Sequence, residues 1–240
     1  MTDSSIPTNP PQIELRGIER VFQLGDSEVH ALRRLDISIA SGEYAAVMGP
    51  SGSGKSTLLN LLGLLDRPNA GLYRLEGRDV TTLTPDEQAQ VRSERIGFVF
   101  QSFHLVPRLT AAENIALPLT LAGIAPRERT ERVAQALADY GLETRADHRP
   151  DQLSGGQRQR VAIARATVMQ PAVIIADDPP GNLDRATGEE VIRLLEQLNG
   201  QGVTLIIVTH DPSLGSRARR QLLMEDGTLR HDSALEGAAQ

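Results

Sequence analysis

Nine residues, Gly49-Pro-Ser-Gly-Ser-Gly-Lys-Ser-Thr57, constrain this chain more than any others. They match the pattern G-x-x-x-x-G-K-[ST] at Gly49, Gly54, Lys55 and Ser56. Glycines without a Cβ let the backbone curl so that successive N–H groups point into one concavity, which suits an anion. Lys55 brings a cation within reach of β- and γ-phosphates, and the Ser56 hydroxyl can take one place around Mg²⁺. A helix starting near Gly54 turns its positive end toward the same group. The residues before the loop, 44–48, read as a buried strand, and those after it, 58–62, as a buried helix. In that setting the stretch is a nucleotide-phosphate loop. Its candidate binding residues are Gly49, Ser51, Gly52, Ser53, Gly54, Lys55, Ser56 and Thr57.

The bulk properties narrow what such a loop can serve. A length of 240 residues fits one large domain, or a domain with a subdomain, and a hydrophobic content of 40% supplies its core. The net charge of −6 argues against a nucleic-acid binder held by sequence-independent electrostatics. Without cysteine there are no disulfides, thiolate zinc sites or cysteine nucleophiles. No apolar run approaches the ~18 residues needed to span a bilayer, and the N-terminus lacks an apolar signal segment. The expectation is a soluble, cytosolic protein that reaches a membrane only through a partner.

Residues 1–11, rich in Ser, Thr and Pro, read as a disordered lead-in. Short alternating runs between Ile13 and Ile39 predict an antiparallel β layer, with Phe22 in a Gly-ended loop between two strands. Phe22 is there either a base-stacking platform or an ordinary core aromatic. Residues 72–76 and 96–100 read as strands, the second ending at Gln101. Thr84 with Pro85 and Glu87, and Thr110 with Glu113, are helix starts of the capping-box kind. Helical character over 111–123 and 126–142 makes 105–153 a candidate helical subdomain inserted into a β-rich frame. Ser154 caps a further helix, residues 173–176 form a strand ending in Asp177-Asp178, and Asp184 caps a helix to Leu198. A last core strand, 203–208, ends at His210, and Asp226-Gly227 is a hairpin turn. The folded domain is expected over 12–230, with a flexible tail at 231–240. Strands alternating with helices in the second half imply a parallel α/β core.

In such sheets ligands sit at the carboxyl ends of the strands. Gly49, Gln101, Asp177-Asp178 and His210 all fall there. Asp177, after an apolar run, fits the acidic residue that holds Mg²⁺ in phosphate-loop NTPases. Asp178 is then placed to orient, or accept a proton from, a water attacking the γ-phosphate. His210 can sense that phosphate, and Gln101 can touch the Mg²⁺ or the water.

Leu153-Ser-Gly-Gly-Gln157, taken with the phosphate loop, resembles the ATP-binding-cassette (ABC) family over nearly the whole chain from Ile13 to Arg230. The resemblance implies an α/β phosphate-loop NTPase core with an antiparallel β layer and an inserted helical subdomain. It implies Gln101 as the Q-loop residue and Ser154, Gly155, Gly156 and Gln157 as the signature. Gly181-Asn-Leu-Asp184 becomes the D-loop, His210 the switch histidine and Phe22 the adenine-stacking aromatic. Catalytic roles fall to Asp178, His210 and Gln101, and Mg²⁺ to Ser56, Gln101 and Asp177. Two cassettes would pair head to tail, each signature covering the ATP on the partner's phosphate loop. Ser154 and the Gly155-Gly156 N–H groups at a helix N-terminus agree with such a second anion site.

Residues 42–44, 65–68, 96–102, 109–114 and 181–184 resemble more closely the ATPases of the macrolide-exporter and lipoprotein-releasing type (MacB/LolD, with FtsE near by). That branch implies a homodimer at the cytoplasmic face of a bacterial inner membrane. It would be bound peripherally through an integral permease, which a groove near Gln101 to Arg108 would receive. One departure stands out: the family has Asp-Glu-Pro-Thr where this chain has Asp177-Asp178-Pro179-Pro180. The catalytic carboxylate is one methylene shorter and a second proline stiffens the link to the D-loop. Two other readings follow, an ATP-clamped scaffold with weak hydrolysis and an ABC-type ATPase of DNA repair or translation. The acidic charge and the absence of a coiled coil or tandem cassettes oppose the latter.

Overall fold

The computed structural model describes residues 10–25 and 27–236. Strands β1 (Ile13–Leu24), β2 (Ser27–Ile39), β4 (Ala70–Leu75) and β5 (Arg78–Asp79) form an antiparallel sheet in the order β2-β1-β4-β5. The second sheet runs β10-β9-β3-β8-β7-β6. Its members are β3 (Tyr44–Met48), β6 (Ile96–Phe100), β7 (Val173–Asp177), β8 (Thr204–Val208), β9 (Arg220–Glu225) and β10 (Thr228–Asp232). All but β10 pair in parallel. Parallel strands covered on both faces need continuous apolar runs, which is why β8 is buried at every position.

Helices pack on both sides of that sheet. On one side α1 (Lys55–Leu62) and α2 (Pro85–Arg95) share a core with the antiparallel layer. Tyr73 on β4 is fully buried there, and its hydroxyl donates to the carbonyl of Leu62 at 2.8 Å, tying the β layer to α1. On the other side lie α3 (Ala111–Leu121), α4 (Pro126–Asp139), α5 (Gly155–Thr167) and α6 (Arg185–Gly200). Helices α3 and α4 fall within 105–153, the stretch expected as a helical subdomain. Their buried residues, such as Ile115, Leu119 and Leu137, belong to one cluster with Val161, Ile174 and Ile207 from α5, β7 and β8. The capping boxes at Thr84 and Thr110 form as anticipated. Asn114 is fully buried and its side chain binds Val106, Leu109 and Thr110, so the loop before α3 is fixed from within. Among the described residues no helix is long and apolar enough to cross a membrane.

Three sequence expectations need correction. Phe22 lies within β1, paired with Val29, rather than in a loop. The helix expected over 126–142 stops at Asp139, because Gly141 takes φ 63° and its N–H caps the carbonyl of Ala138. The tail does not begin at 231: β10 runs to Asp232, and a last short helix (Ser233–Glu236) follows. Asp232 is buried and accepts two hydrogen bonds from Arg220, at 2.8 and 2.6 Å. The lead-in expected over 1–11 lies outside the described residues apart from Pro10 and Pro11, and of the tail 237–240 lie outside them.

Candidate nucleotide site

Strand order places the ends of β3, β8, β7 and β6 side by side. A cavity of about 950 Å³ opens across them, lined by Gly49, Ser51, Lys55 and Ser56 on one flank and Gln101, Asp177, Asp178, Thr209 and His210 on the other. The phosphate loop is already curled. Gly49 sits at φ 147° and Gly54 at φ 97°. A Cβ on Gly49 would come 2.1 Å from the carbonyl oxygen of Met224, and one on Gly54 would come 2.4 Å from that of Ala31. Any side chain at either position displaces backbone. Lys55 holds the loop from inside, its Nζ donating to the carbonyls of Gly49 (2.8 Å) and Pro50 (2.7 Å) and to Ser53 Oγ (3.4 Å). Those three acceptors fill the donor capacity of an ammonium, so a bound phosphate must displace them.

The opposite flank is a carboxylate pair. Burial, with the neighbouring Asp178 charge, pushes Asp177 above the usual carboxylate range, against the pull of Lys55 and His104. Asp178 is buried and takes φ 40°, a left-handed backbone that a non-glycine residue adopts only under constraint. Its N–H donates to the Val208 carbonyl (2.8 Å) and its own carbonyl accepts from Gly181 N–H (2.9 Å). Thr209 Oγ1 donates to Asp178 Oδ1 (3.1 Å), and His210 Nδ1 lies 3.3 Å from Oδ2. Gly181 is what lets the flank close. A Cβ there would be 2.5 Å from Gln101 Nε2 and 2.7 Å from Asp178 Oδ2. Asn182 Nδ2 donates to the Gln101 carbonyl (3.0 Å), linking the two loops. From α5, the buried Gln159 donates to the carbonyl of Pro179 (3.0 Å), while its Oε1 meets no donor. Pro180, without an N–H, offers it none.

Not every candidate gathers here. Gly52, Ser53, Gly54 and Thr57 belong to the loop and first turn of α1 without lining the cavity. Ser154, Gly155, Gly156 and Gln157 form the start of α5, where Ser154 Oγ accepts from Gln157 N (3.2 Å) and Gln157 Oε1 accepts from Ser154 N (3.0 Å). None of the four lines the cavity of its own chain. Asp184 caps α6, accepting from Thr187 N–H (3.1 Å), and lines a neighbouring groove that shares Asp178 and His210 with the cavity. Phe22 is half-buried, outside the cavity and outside both hydrophobic clusters. Sequence reasoning missed Thr209 and Gln159. Thr209 carried one faint signal, its place between a core strand and His210.

Residues 32–181 match the ABC transporter family model. The "Macrolide export ATP-binding/permease protein MacB" of Syntrophobacter fumaroxidans is 48% identical over 228 residues, covering 94% of this chain and 32% of that protein. Its counterpart in Marinobacter nauticus is 51% identical, covering 94% of this chain and 35% of that protein. The chain thus spans about a third of the length of these relatives. Among solved structures, the dimeric post-hydrolysis state of the ATP-binding cassette MJ0796 bound to ADP and Pi is similar with a TM-score of 0.84 and 40% identity. It covers 92% of this chain and 97% of that one. Sheet order, phosphate loop and sequence likeness converge: the chain belongs to the ABC transporter family, as an ATPase cassette similar to the ATP-binding part of the MacB proteins.

Proposed function

We propose that this cassette binds ATP with Mg²⁺ on its phosphate loop, closes head to tail on a second copy, and hydrolyses the nucleotide to drive a bacterial inner-membrane permease. The observation that carries the reading is the single cavity in which Lys55, Ser56, Gln101, Asp177, Asp178 and His210 meet. A hydroxyl, a carboxylate and an amide oxygen are hard donors of the kind Mg²⁺ takes beside nucleotide phosphates. When bound, the ion supplies charge to offset the phosphate oxygens. Lys55 would shift from loop carbonyls to phosphate oxygens, Gln101 and His210 would report on the γ-phosphate, and Asp178 would orient the attacking water. Displacement at phosphorus by that water gives ADP and inorganic phosphate.

The signature supports the two-copy arrangement. Its capped helix start is a ready anion site, yet it lies away from its own chain's cavity. MacB relatives join an ATP-binding part to a permease in their printed names, and the cassette MJ0796 is described as dimeric. Docking of the permease near Gln101 to Arg108 draws support from the clamping of that loop: Arg165 on α5 donates to the carbonyls of Phe103 (3.0 Å) and His104 (2.6 Å). A peripheral place at the cytoplasmic face follows from the same partnership. The test is light scattering on Asp178→Asn with ATP and Mg²⁺. A dimer is expected, with a monomer in the absence of nucleotide and in the additional presence of Ser154→Arg. The same mass in every condition would sink the proposal.

A second reading, an ATP-held scaffold that turns over slowly, is favoured by one observation. The Asp178 carboxylate is short and already engaged by Thr209 and His210.

A further inference from the structure

The β1–β2 ribbon continues past the last pairing of β1 with β4, at Glu19 and Ala70, and its Ala31 lies against Gly54, just before α1. Its register pairs Arg20 with Leu32, Val21 with His30 and Phe22 with Val29, leaving Ala31 in an irregular step. The Ala31 carbonyl is the one that a Cβ on Gly54 would meet at 2.4 Å. Phe22 therefore stands within a few residues, along the ribbon, of the phosphate-loop glycine. Its ring is half-buried and belongs to neither hydrophobic cluster, so core packing does not account for it. One face of the ring is covered. The Arg20 guanidinium lies 4.4 Å from the ring centroid. That guanidinium is held from behind: Nε donates to Asp66 Oδ2 (2.8 Å) and a terminal nitrogen to Asn69 Oδ1 (3.1 Å). Asn69 Oδ1 also accepts from Val21 N–H (2.9 Å), and Asn69 N–H donates to the carbonyl of Glu19 (2.8 Å). Asp66 follows the C-terminal end of α1, so the anchor runs from the helix that carries the phosphate loop to the aromatic ring.

We infer that Arg20 is a positioning residue for the nucleotide base, fixing the Phe22 ring through a cation–π contact so that its other face is presented for stacking. The inference rests on the reading of Phe22 as the base platform. A planar cation stacked on one face excludes a base from that side and draws the ring into one orientation. The base then binds without the cost of ordering a loose aromatic. Asp66 and Asn69 matter only because they hold the guanidinium over the ring. Arg20 contacts nothing in the phosphate cavity, so its effect should reach only ligands that carry a base.

The experiment compares two probes on the full chain, a non-hydrolysable ATP analogue and inorganic tripolyphosphate, by calorimetry. The proteins are the native chain, Phe22→Ala, Arg20→Ala, Arg20→Gln and the double variant. Arg20→Gln keeps a donor for Asp66 and Asn69, and so guards against a variant that fails to fold. Both Arg20 variants should weaken the ATP analogue by roughly three- to fivefold, the span of a partly exposed cation–π contact. Tripolyphosphate affinity should stay within about twofold, a difference of a few tenths of a kcal/mol. In the double variant the loss should equal that of Phe22→Ala alone. If Phe22→Ala weakens the analogue and neither Arg20 variant does, the inference falls while the base-platform reading stands. If Phe22→Ala changes nothing, that reading falls and takes the inference with it. Equal losses for both probes in the Arg20 variants would assign Arg20 to the fold, and likewise overturn the inference.

Discussion

At the end of β3, glycines and a lysine hold the phosphate loop with its donors already gathered. At the end of β7, the same sheet carries a carboxylate in a left-handed backbone, held by Thr209 and His210 and followed by two prolines. The first flank is saturated, each contact of Lys55 being made within its own loop. The second is not. Among the described residues Gln159 Oε1 is buried without a donor beside the proline pair, and burial together with the neighbouring Asp178 carboxylate raises the cost of ionising Asp177. On the proposed reading, the difference gives binding and hydrolysis separate structural supports in this cassette. One flank has its loop curled before any phosphate arrives, while the other holds its proposed hydrolytic carboxylate in a left-handed backbone.

The largest break between the flanks should come from Lys55→Ala. Two hydrogen bonds from a charged donor are lost at the phosphates, so ATP affinity should fall by about a hundredfold or more. ATP-dependent thermal stabilisation should vanish. An unchanged shift in melting temperature would contradict the assignment of the loop. Gly181→Ala should act on the other flank alone. The added methyl pushes Gln101 and Asp178 apart, and turnover should drop by about tenfold with ATP affinity unchanged. Equal losses in affinity and turnover would show that the flanks are not separable.

The smallest effect sharpens the electrostatic side of the comparison. The folded-state pKa of Asp177 is raised, so its contribution favours the fold at low pH and is lost as pH rises through that raised value. Asp177→Asn should therefore raise the melting temperature of the nucleotide-free protein at neutral pH, on the order of a degree or two. The gain should fade in acid, and the same variant should lose Mg²⁺-dependent ATP binding. Thermal scans across pH that show a constant difference would remove the linkage.

Strands β3, β6, β7 and β8 of the parallel core were legible because they are short, largely apolar runs, whereas β9, with polar residues at both ends, was read only as an arm of a hairpin. The helix starts at Thr84, Thr110 and Ser154 were legible because a capping box is a local device, complete within four residues. What escaped depends on register. The outer part of the β1–β2 ribbon is exposed from Ser27 to His30, so it carries no apolar alternation to mark Phe22 as strand. Asp232 reads as one more charge in a polar tail until β9 and β10 pair and set it against Arg220. Gly181 reads as the first residue of the D-loop, and Thr209 as a loop residue beside His210. Their roles appear only when Asp178, Gln101 and His210 are brought within a few ångströms of them.

The central claim is that Asp178 is the hydrolytic group, held short of its best position by a side chain one methylene too brief. A carboxylate acts on a water from within roughly 2.6–3.2 Å, and a misplacement on the order of 1 Å can cost about a hundredfold in rate. The most direct measurement is turnover of Asp178→Glu, assayed with the permease partner present and with ATP affinity determined in parallel. The account predicts a rise of about tenfold or more at unchanged affinity, as the longer side chain reaches past Thr209 and His210 toward the water. Turnover that is unchanged or reduced would contradict it, and would show that the left-handed Asp178 and its prolines already fit the site to aspartate.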